Sequence, residues 1–127
     1  MNSRENVSNA VAALESAAER IRRIEAEARE ALYVKDDTEA HRRKLREKTM
    51  LLMELPDLVD PYIEGMAKDV RAEIETGLNS FSRRASQALE LSSIFYMSAL
   101  LYPDDYREGD PNDLELFADR LRIKYLS

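Results

Sequence analysis

A seam of apolar residues at alternating spacings of three and four runs through the first quarter of the chain and constrains the fold most strongly. Its members are Val7, Ala10, Leu14, Ala17, Ile21, Ile24, Ala28 and Ala31. This spacing predicts a long coiled-coil-like α-helix over about residues 4–34. Because half of the seam is alanine, the helix has little apolar area per turn and must pack against other helices to be stable.

The rest of this first helix is charged, and acidic and basic residues follow one another at i,i+4 spacing. Glu19 precedes Arg23 in this way, and Glu25 precedes Arg29. We expect such pairs to lie on the solvated face, where each stabilises the helix by about 0.3–0.5 kcal/mol.

Proline and aspartate positions divide the remaining chain into three further predicted helices. The second covers residues 38–54 and precedes Pro56. Asp60 and Pro61 form a start signal for a long helix over residues 61–102, with a bend or break allowed at Gly77. A second Asp-Pro pair starts the final helix over residues 111–126.

Length and composition agree with a single helical domain over residues 1–127. Charged residues make up 35% of the chain, and it contains three glycines and four prolines, a balance typical of helices rather than sheets or disorder. The predicted fold is all-α: an antiparallel helical bundle with a long N-terminal coiled-coil-like helix and a long central helix.

The second half of the long central helix, residues 89–102 (LELSSIFYMSALLY), is apolar at nearly every angle around the axis. A helix over residues 61–102 would be roughly 63 Å long, which exceeds a compact domain of this size. We therefore expect a homodimer. The interface residues predicted for it are Leu91, Ile94, Phe95, Leu101 and Tyr102. The alternative is a bent helix that folds back into a monomer.

The chain contains no cysteine, and its N-terminus (MNSRENVSNAV) has no apolar run after a basic start. Disulfides and thiolate sites are thereby excluded, and a cytoplasmic location without membrane insertion is expected. The net charge of −6 opposes nucleic-acid binding by the surface as a whole, although a local basic patch can still bind.

Few residues are candidates for catalysis. His41 is the single histidine, whereas carboxylate-bridged di-iron bundles need a Glu-x-x-His motif on each of two helices. No serine lies in the glycine-framed turn that activates a nucleophile in hydrolases. The prediction is therefore a protein that is not an enzyme and needs no cofactor, with His41 as an exposed residue near Asp37.

The acidic loop over residues 104–115 resembles an EF-hand in its spacing, with Gly109 at the position of the sharp turn. If calcium binds, Asp104 and Glu115 are the expected main ligands. Tyr106 and Pro111 do not fit the EF-hand pattern, and the alternative is a solvated linker whose carboxylates cap the last helix.

A basic run, HRRKLREK over residues 41–48, is the candidate anion-binding patch. Its residues are Arg42, Arg43, Lys44 and Arg46. It could contact several phosphates, but no interleaved aromatic residue or glycine-rich phosphate loop accompanies it. The alternative is a solvated face that complements acidic positions such as Glu27 on the first helix.

Three functional classes follow from these features. The leading one is a helical protein–protein interaction module, such as an adaptor, chaperone or regulatory subunit, that also self-associates through its central helix. The second is a regulator that contacts nucleic acid through residues 42–48. The third is a metal-dependent hydrolase that uses helix-borne carboxylates, for which the sequence has the least support.

Overall fold

A computed structural model describes residues 3–127, and these residues form helices and connecting segments without a β-strand. The helices are α1 (Ser3–Tyr33), α2 (Thr38–Met53), α3 (Leu55–Ile63), α4 (Lys68–Glu90), α5 (Ile94–Ala99) and α6 (Asp113–Leu126). The predicted all-α class is confirmed. Within residues 3–127, no helix combines the length and the apolar character that crossing a bilayer requires.

Helix α1 follows its sequence pattern, since all eight residues of the predicted seam are buried. It packs against α2, α3 and α6. After Tyr33 the chain turns through Asp36, whose φ is 51°. The side chain of Asp37 then caps α2 by accepting a hydrogen bond from the backbone N–H of Ala40 at 3.0 Å.

The predicted long helix over residues 61–102 is wrong, because the chain interrupts it twice. The first interruption lies between α3 and α4, where Gly65 passes so close to Asn6 that an added Cβ would lie 2.0 Å from its Nδ2. The second lies between α4 and α5, where Ser92 adopts a φ of 49°. Ser93 caps α5 there by accepting a hydrogen bond from the Tyr96 backbone.

The prolines also differ from their predicted roles, whereas the break allowed at Gly77 does not occur. Helix α3 begins at Leu55 with Pro56 in its first turn, where a missing N–H costs nothing, and Pro61 lies inside the helix rather than at its start. Gly77 lies inside α4 without a break. Its backbone faces the ring of Phe117, and a Cβ at Gly77 would lie 2.4 Å from that ring.

The main apolar core lies around α1 and includes residues from α2, α3, α4 and α6. A smaller cluster of Ala28, Leu45, Ala88 and Met97 fixes α5 against α1, α2 and α4. Helix α4 packs on α2 and α3, whereas α6 packs on α1. The backbones of α4 and α6 approach closely at few points, which leaves an open seam between these two helices.

Candidate functional site

Lys48 is a fully buried lysine that joins three parts of the chain. It lies on α2 with none of its side chain exposed, and its Nζ is 2.9 Å from Glu25 Oε2 on α1. The same Nζ donates a hydrogen bond to the Ser98 carbonyl at the end of α5, at 3.2 Å. It also lies 5.1 Å from the centre of the Tyr102 ring, within the range of a cation–π contact.

Glu25 is the acceptor at the centre of this group and is 6% exposed. The Tyr102 hydroxyl donates a hydrogen bond to Glu25 Oε1 at 2.5 Å. Among the described residues, Oε2 receives no hydrogen bond of suitable angle, so the nearby charge of Lys48 is what compensates it. A buried carboxylate without such a countercharge would be strongly disfavoured.

Burial dominates the acid–base properties of this group. It lowers the pKa of Lys48, while the Glu25 carboxylate acts in the opposite direction. Burial also raises the pKa of Tyr102, and the hydrogen bond to Glu25 adds to that increase. Perturbed groups of this kind occur at functional sites and also in structural ion pairs.

Arg22 fastens the segment over residues 102–115 to α1. Its guanidinium donates two hydrogen bonds to Glu115, at 2.7 and 3.1 Å, and one to the Asp110 carbonyl at 3.1 Å. Longer contacts of 3.4 Å reach the hydroxyls of Tyr102 and Tyr106. The Arg22 guanidinium is the main cause of a lowered Glu115 pKa, as expected for a two-pronged charged pair.

A cleft of about 700 Å³ opens over these groups. Arg29, His41 and Tyr106 are among the residues that line it. His41 Nδ1 lies 2.9 Å from the Ala28 carbonyl, which ties the single histidine to α1. Lys48 and Glu25 also border the cleft, but none of the Lys48 side chain is exposed. We therefore interpret the cluster of Arg22, Glu25, Lys48, Tyr102 and Glu115 as a polar lock that holds α5 and residues 102–115 on α1 and α2.

Glu115, one of the two predicted calcium ligands, is engaged in other contacts in the structure. Glu115 is held by Arg22, and its Oε1 accepts a hydrogen bond from the Asn112 backbone at 2.8 Å. Asn112 Oδ1 in turn accepts from the Glu115 backbone at 2.9 Å, which completes a capping box at the start of α6. Asp104 is exposed. Residues 3–127 bring together no group of three or more acidic or histidine side chains that could hold a metal ion.

The basic run is only partly available to anions. Lys44 pairs with Glu27 at 3.2 Å and Glu47 at 3.3 Å, and the hydrogen bond to Glu27 is the main cause of its raised pKa. Arg42, Arg43 and Arg46 are exposed. A groove of about 500 Å³ between α1 and α2 is lined by Arg20, Arg43, Arg46, Glu47 and Glu54, among others.

The five predicted interface residues do not share one surface. Leu91 and Phe95 are 65% and 72% exposed, and Ile94 is half-buried. Leu101 is buried in the main core. Tyr102 belongs to the polar lock. Leu101 and Tyr102 point inward because the chain turns after α4 and again at Leu101, whose φ is 79°.

Tyr96 extends the exposed part of this surface, and the sequence prediction did not include it. It is 53% exposed, and its ring packs edge-on against that of Phe95 at 5.5 Å. We call the surface formed by Leu91, Phe95 and Tyr96 the α5 corner. An adjoining groove of about 480 Å³ is lined in part by Leu91, Tyr96 and Leu100.

Sequence reasoning placed Lys48 and Glu25 on solvated faces, and both are buried. The periodic pattern nevertheless carried a signal for each. Lys48 lies between Leu45 and Leu52 on the apolar stripe of α2, and Glu25 lies four residues after Ile21 and three before Ala28 on α1. A charge on the core stripe of each of two neighbouring helices indicates a buried ion pair.

Comparisons with protein-family models, with curated proteins and with solved structures each find no match to the chain.

Proposed function

We propose that the protein is a helical interaction module, acting as an adaptor, chaperone or regulatory subunit, that self-associates through the α5 corner. The observation that carries this proposal is the exposure of Leu91, Phe95 and Tyr96 on one short stretch of chain. Large apolar side chains grouped on a surface are typical of sites that contact another macromolecule. The adjoining groove beside Tyr96 and Leu100 offers a recess for a partner's side chains.

Charge favours a second copy of the chain as the occupant of the α5 corner. Each chain carries a net charge of −6, yet residues 91–103 contain no charged residue. Two copies therefore repel one another over most of their surfaces and least at this segment. A two-fold axis at the α5 corner would place the same apolar patch on both sides of the contact.

Light scattering at two protein concentrations tests this assignment. We expect a dimer for the natural sequence and a monomer for Phe95→Glu, with unchanged helical content by circular dichroism because Phe95 is exposed. Ile123→Glu is the matched control, since Ile123 is 63% exposed on α6, outside the α5 corner. A natural protein that stays monomeric at high concentration, or a control that dissociates as Phe95→Glu does, would contradict self-association through this corner.

A second candidate function is contact with nucleic acid through the groove between α1 and α2. It is supported by the grouping of Arg20 with Arg43 and Arg46, none of which makes an ion pair within residues 3–127. Phosphate contacts of this kind weaken steeply with salt. Retention on heparin that is lost at moderate salt, and lost in Arg43→Ala/Arg46→Ala, is the expected result for this function.

A further inference from the structure

The seam between α4 and α6 is an open groove of about 680 Å³. Its two walls touch mainly through long side chains. The rings of Phe81 and Phe117 meet at 5.7 Å. At one end of the groove, Glu73 accepts hydrogen bonds from Lys124 at 2.9 Å and from the Tyr125 hydroxyl. Between these contacts the two helices leave room for another element.

The walls of this groove suit a helix. On α4, Thr76 and Ser80 are small and allow a neighbouring backbone to come close, whereas Gly77 is covered by the Phe117 ring. On α6, Leu116 lines the groove and is 46% exposed, so it offers apolar area that the chain itself does not cover. The α4 wall runs from Ala72 to Arg84, which corresponds to roughly 18 Å or about three helical turns.

The charges of the groove indicate what kind of helix it fits. Arg84 lies on the α4 wall and Arg120 on the α6 wall, and within residues 3–127 neither makes an ion pair. Arg120 lies over the Phe117 ring, 5.8 Å from its centre. Two acids also line the groove: Asp113 at the start of α6, and Glu73 at the other end, which is already held by Lys124 and Tyr125. With Glu73 paired, the lining keeps two arginines against the single acid Asp113, which favours a partner that supplies carboxylates.

We propose that the groove between α4 and α6 binds an amphipathic α-helix of another protein, with an apolar stripe facing Phe81 and Leu116 and acidic residues facing Arg84 and Arg120. This is the helix-in-groove mode of recognition, in which apolar anchors give affinity and flanking charges give selectivity. The groove meets the recess beside the α5 corner at Arg84 and Asp113, which line both, but Leu91, Phe95 and Tyr96 lie outside it.

A fluorescent reporter inside the groove can measure this binding directly. Because the chain contains no cysteine, Ser80→Cys provides a single attachment site for an environment-sensitive dye. Ser86→Cys is the control, since Ser86 is exposed on α4 and does not line the groove. The probe is a synthetic amphipathic peptide of about four helical turns with leucines on one face and glutamates beside them. A matched peptide carries lysines in place of the glutamates.

We expect the glutamate peptide to shift the emission of the dye at position 80 and not at position 86. The affinity of the lysine peptide should be lower than that of the glutamate peptide by a factor of about ten or more. Peptide anisotropy with unlabelled protein then tests the arginines: Arg84→Glu/Arg120→Glu should lose the glutamate peptide and gain affinity for the lysine peptide. The double variant Arg23→Glu/Arg83→Glu has the same net charge with an intact groove, and should keep the original preference.

Three results would overturn the proposal. The first is equal affinity for the two peptides or no binding of either. The second is the same loss of affinity in Arg23→Glu/Arg83→Glu as in the groove variant, which would mean that only net charge matters. The third is dissociation of a dimer by Arg120→Glu alone in light scattering, which would show that a second copy fills the groove, because Arg120 lines this groove and not the recess beside the α5 corner. A monomeric natural protein would refute the α5-corner contact and leave this test unaffected.

Discussion

Lys48 Nζ and Glu25 Oε2 lie 2.9 Å apart, between α2 and α1, and both side chains are buried. Removing two charges from water costs several kcal/mol per ion, which their mutual attraction offsets only in good geometry. Here the Ser98 carbonyl and the Tyr102 hydroxyl supply the additional hydrogen bonds. The pair therefore joins segments distant in sequence, and its two members depend on each other for their stability.

The first prediction concerns this dependence. Glu25→Gln leaves the Lys48 cation buried without its countercharge and should lower the free energy of unfolding by about 3–5 kcal/mol. Lys48→Met leaves the Glu25 carboxylate with a single buried donor and should also be strongly destabilising. The double variant Glu25→Gln/Lys48→Met removes both charges, and should be more stable than the sum of the single effects by roughly 2 kcal/mol. Urea unfolding of the three variants measures this coupling, and additive effects would contradict it.

The second prediction concerns acid stability through Arg22 and Glu115. Arg22 lowers the pKa of Glu115 in the folded protein. The folded state therefore binds a proton on the Glu115 carboxylate less tightly than the unfolded state does. The resulting stability is fully present above the unfolded pKa of about 4.3 and is lost as the pH falls through the folded pKa. Glu115→Gln should therefore cost about 1 kcal/mol at neutral pH, a value reduced by solvent screening, and nothing at strongly acidic pH.

Thermal melts between neutral pH and pH 3 test this difference. Glutamine preserves the capping-box acceptor for the Asn112 backbone, so the change in charge is isolated from the change in capping. Glu19→Gln is the control, because Glu19 is exposed and makes no ion pair within residues 3–127. A constant difference between natural protein and Glu115→Gln at every pH would mean that the charge of Glu115 does not stabilise the fold.

The sequence predicted those parts of the fold that depend on local pattern. The heptad seam of α1 needs only residues three and four apart, and all of it is buried as expected. The interruption at residues 64–67 depends instead on the approach of Gly65 to Asn6, a contact between residues far apart in sequence. The apolar stripe on either side of the interruption keeps a helical phase, so periodicity alone did not distinguish two helices from one.

The candidate site was less predictable for the same reason. Arg22 and Glu115 belong to the first and last helices, and nothing in either helix alone indicates that they pair. Lys48 lies in a run of mostly charged residues that we expected to be solvated. Only its position on the apolar stripe of α2 distinguishes it from them. At the α5 corner, the uncharged stretch was visible in the sequence. Which of its side chains point outward depends on the turn at Ser92, where φ is 49°.

The third prediction concerns Gly77, where replacement by alanine should destabilise the helix instead of stabilising it. Replacing glycine by alanine inside a helix usually stabilises it by about 1 kcal/mol. At Gly77, however, the new Cβ would lie 2.4 Å from the Phe117 ring, which is buried against α1 and Phe81. We expect Gly77→Ala to lower the free energy of unfolding by about 1–3 kcal/mol through overpacking. Gly77→Ala in a Phe117→Leu background should recover much of this loss in urea unfolding, and a stabilised single variant would refute the explanation.

The fourth prediction concerns the start of α6. Asn112 is fully buried, and its side chain caps the helix by accepting from the Glu115 backbone. Its Nδ2 lies near the Tyr102 hydroxyl but makes no hydrogen bond of good geometry among the described residues. Asn112→Ala should lower the free energy of unfolding by about 1–2 kcal/mol, because the cap is lost. Asn112→Ser keeps a capping oxygen and removes the uncompensated donor, so it should be more stable than Asn112→Ala by roughly 1 kcal/mol. Urea unfolding of the two variants checks the order, and equal stability would mean that the cap contributes nothing at this position.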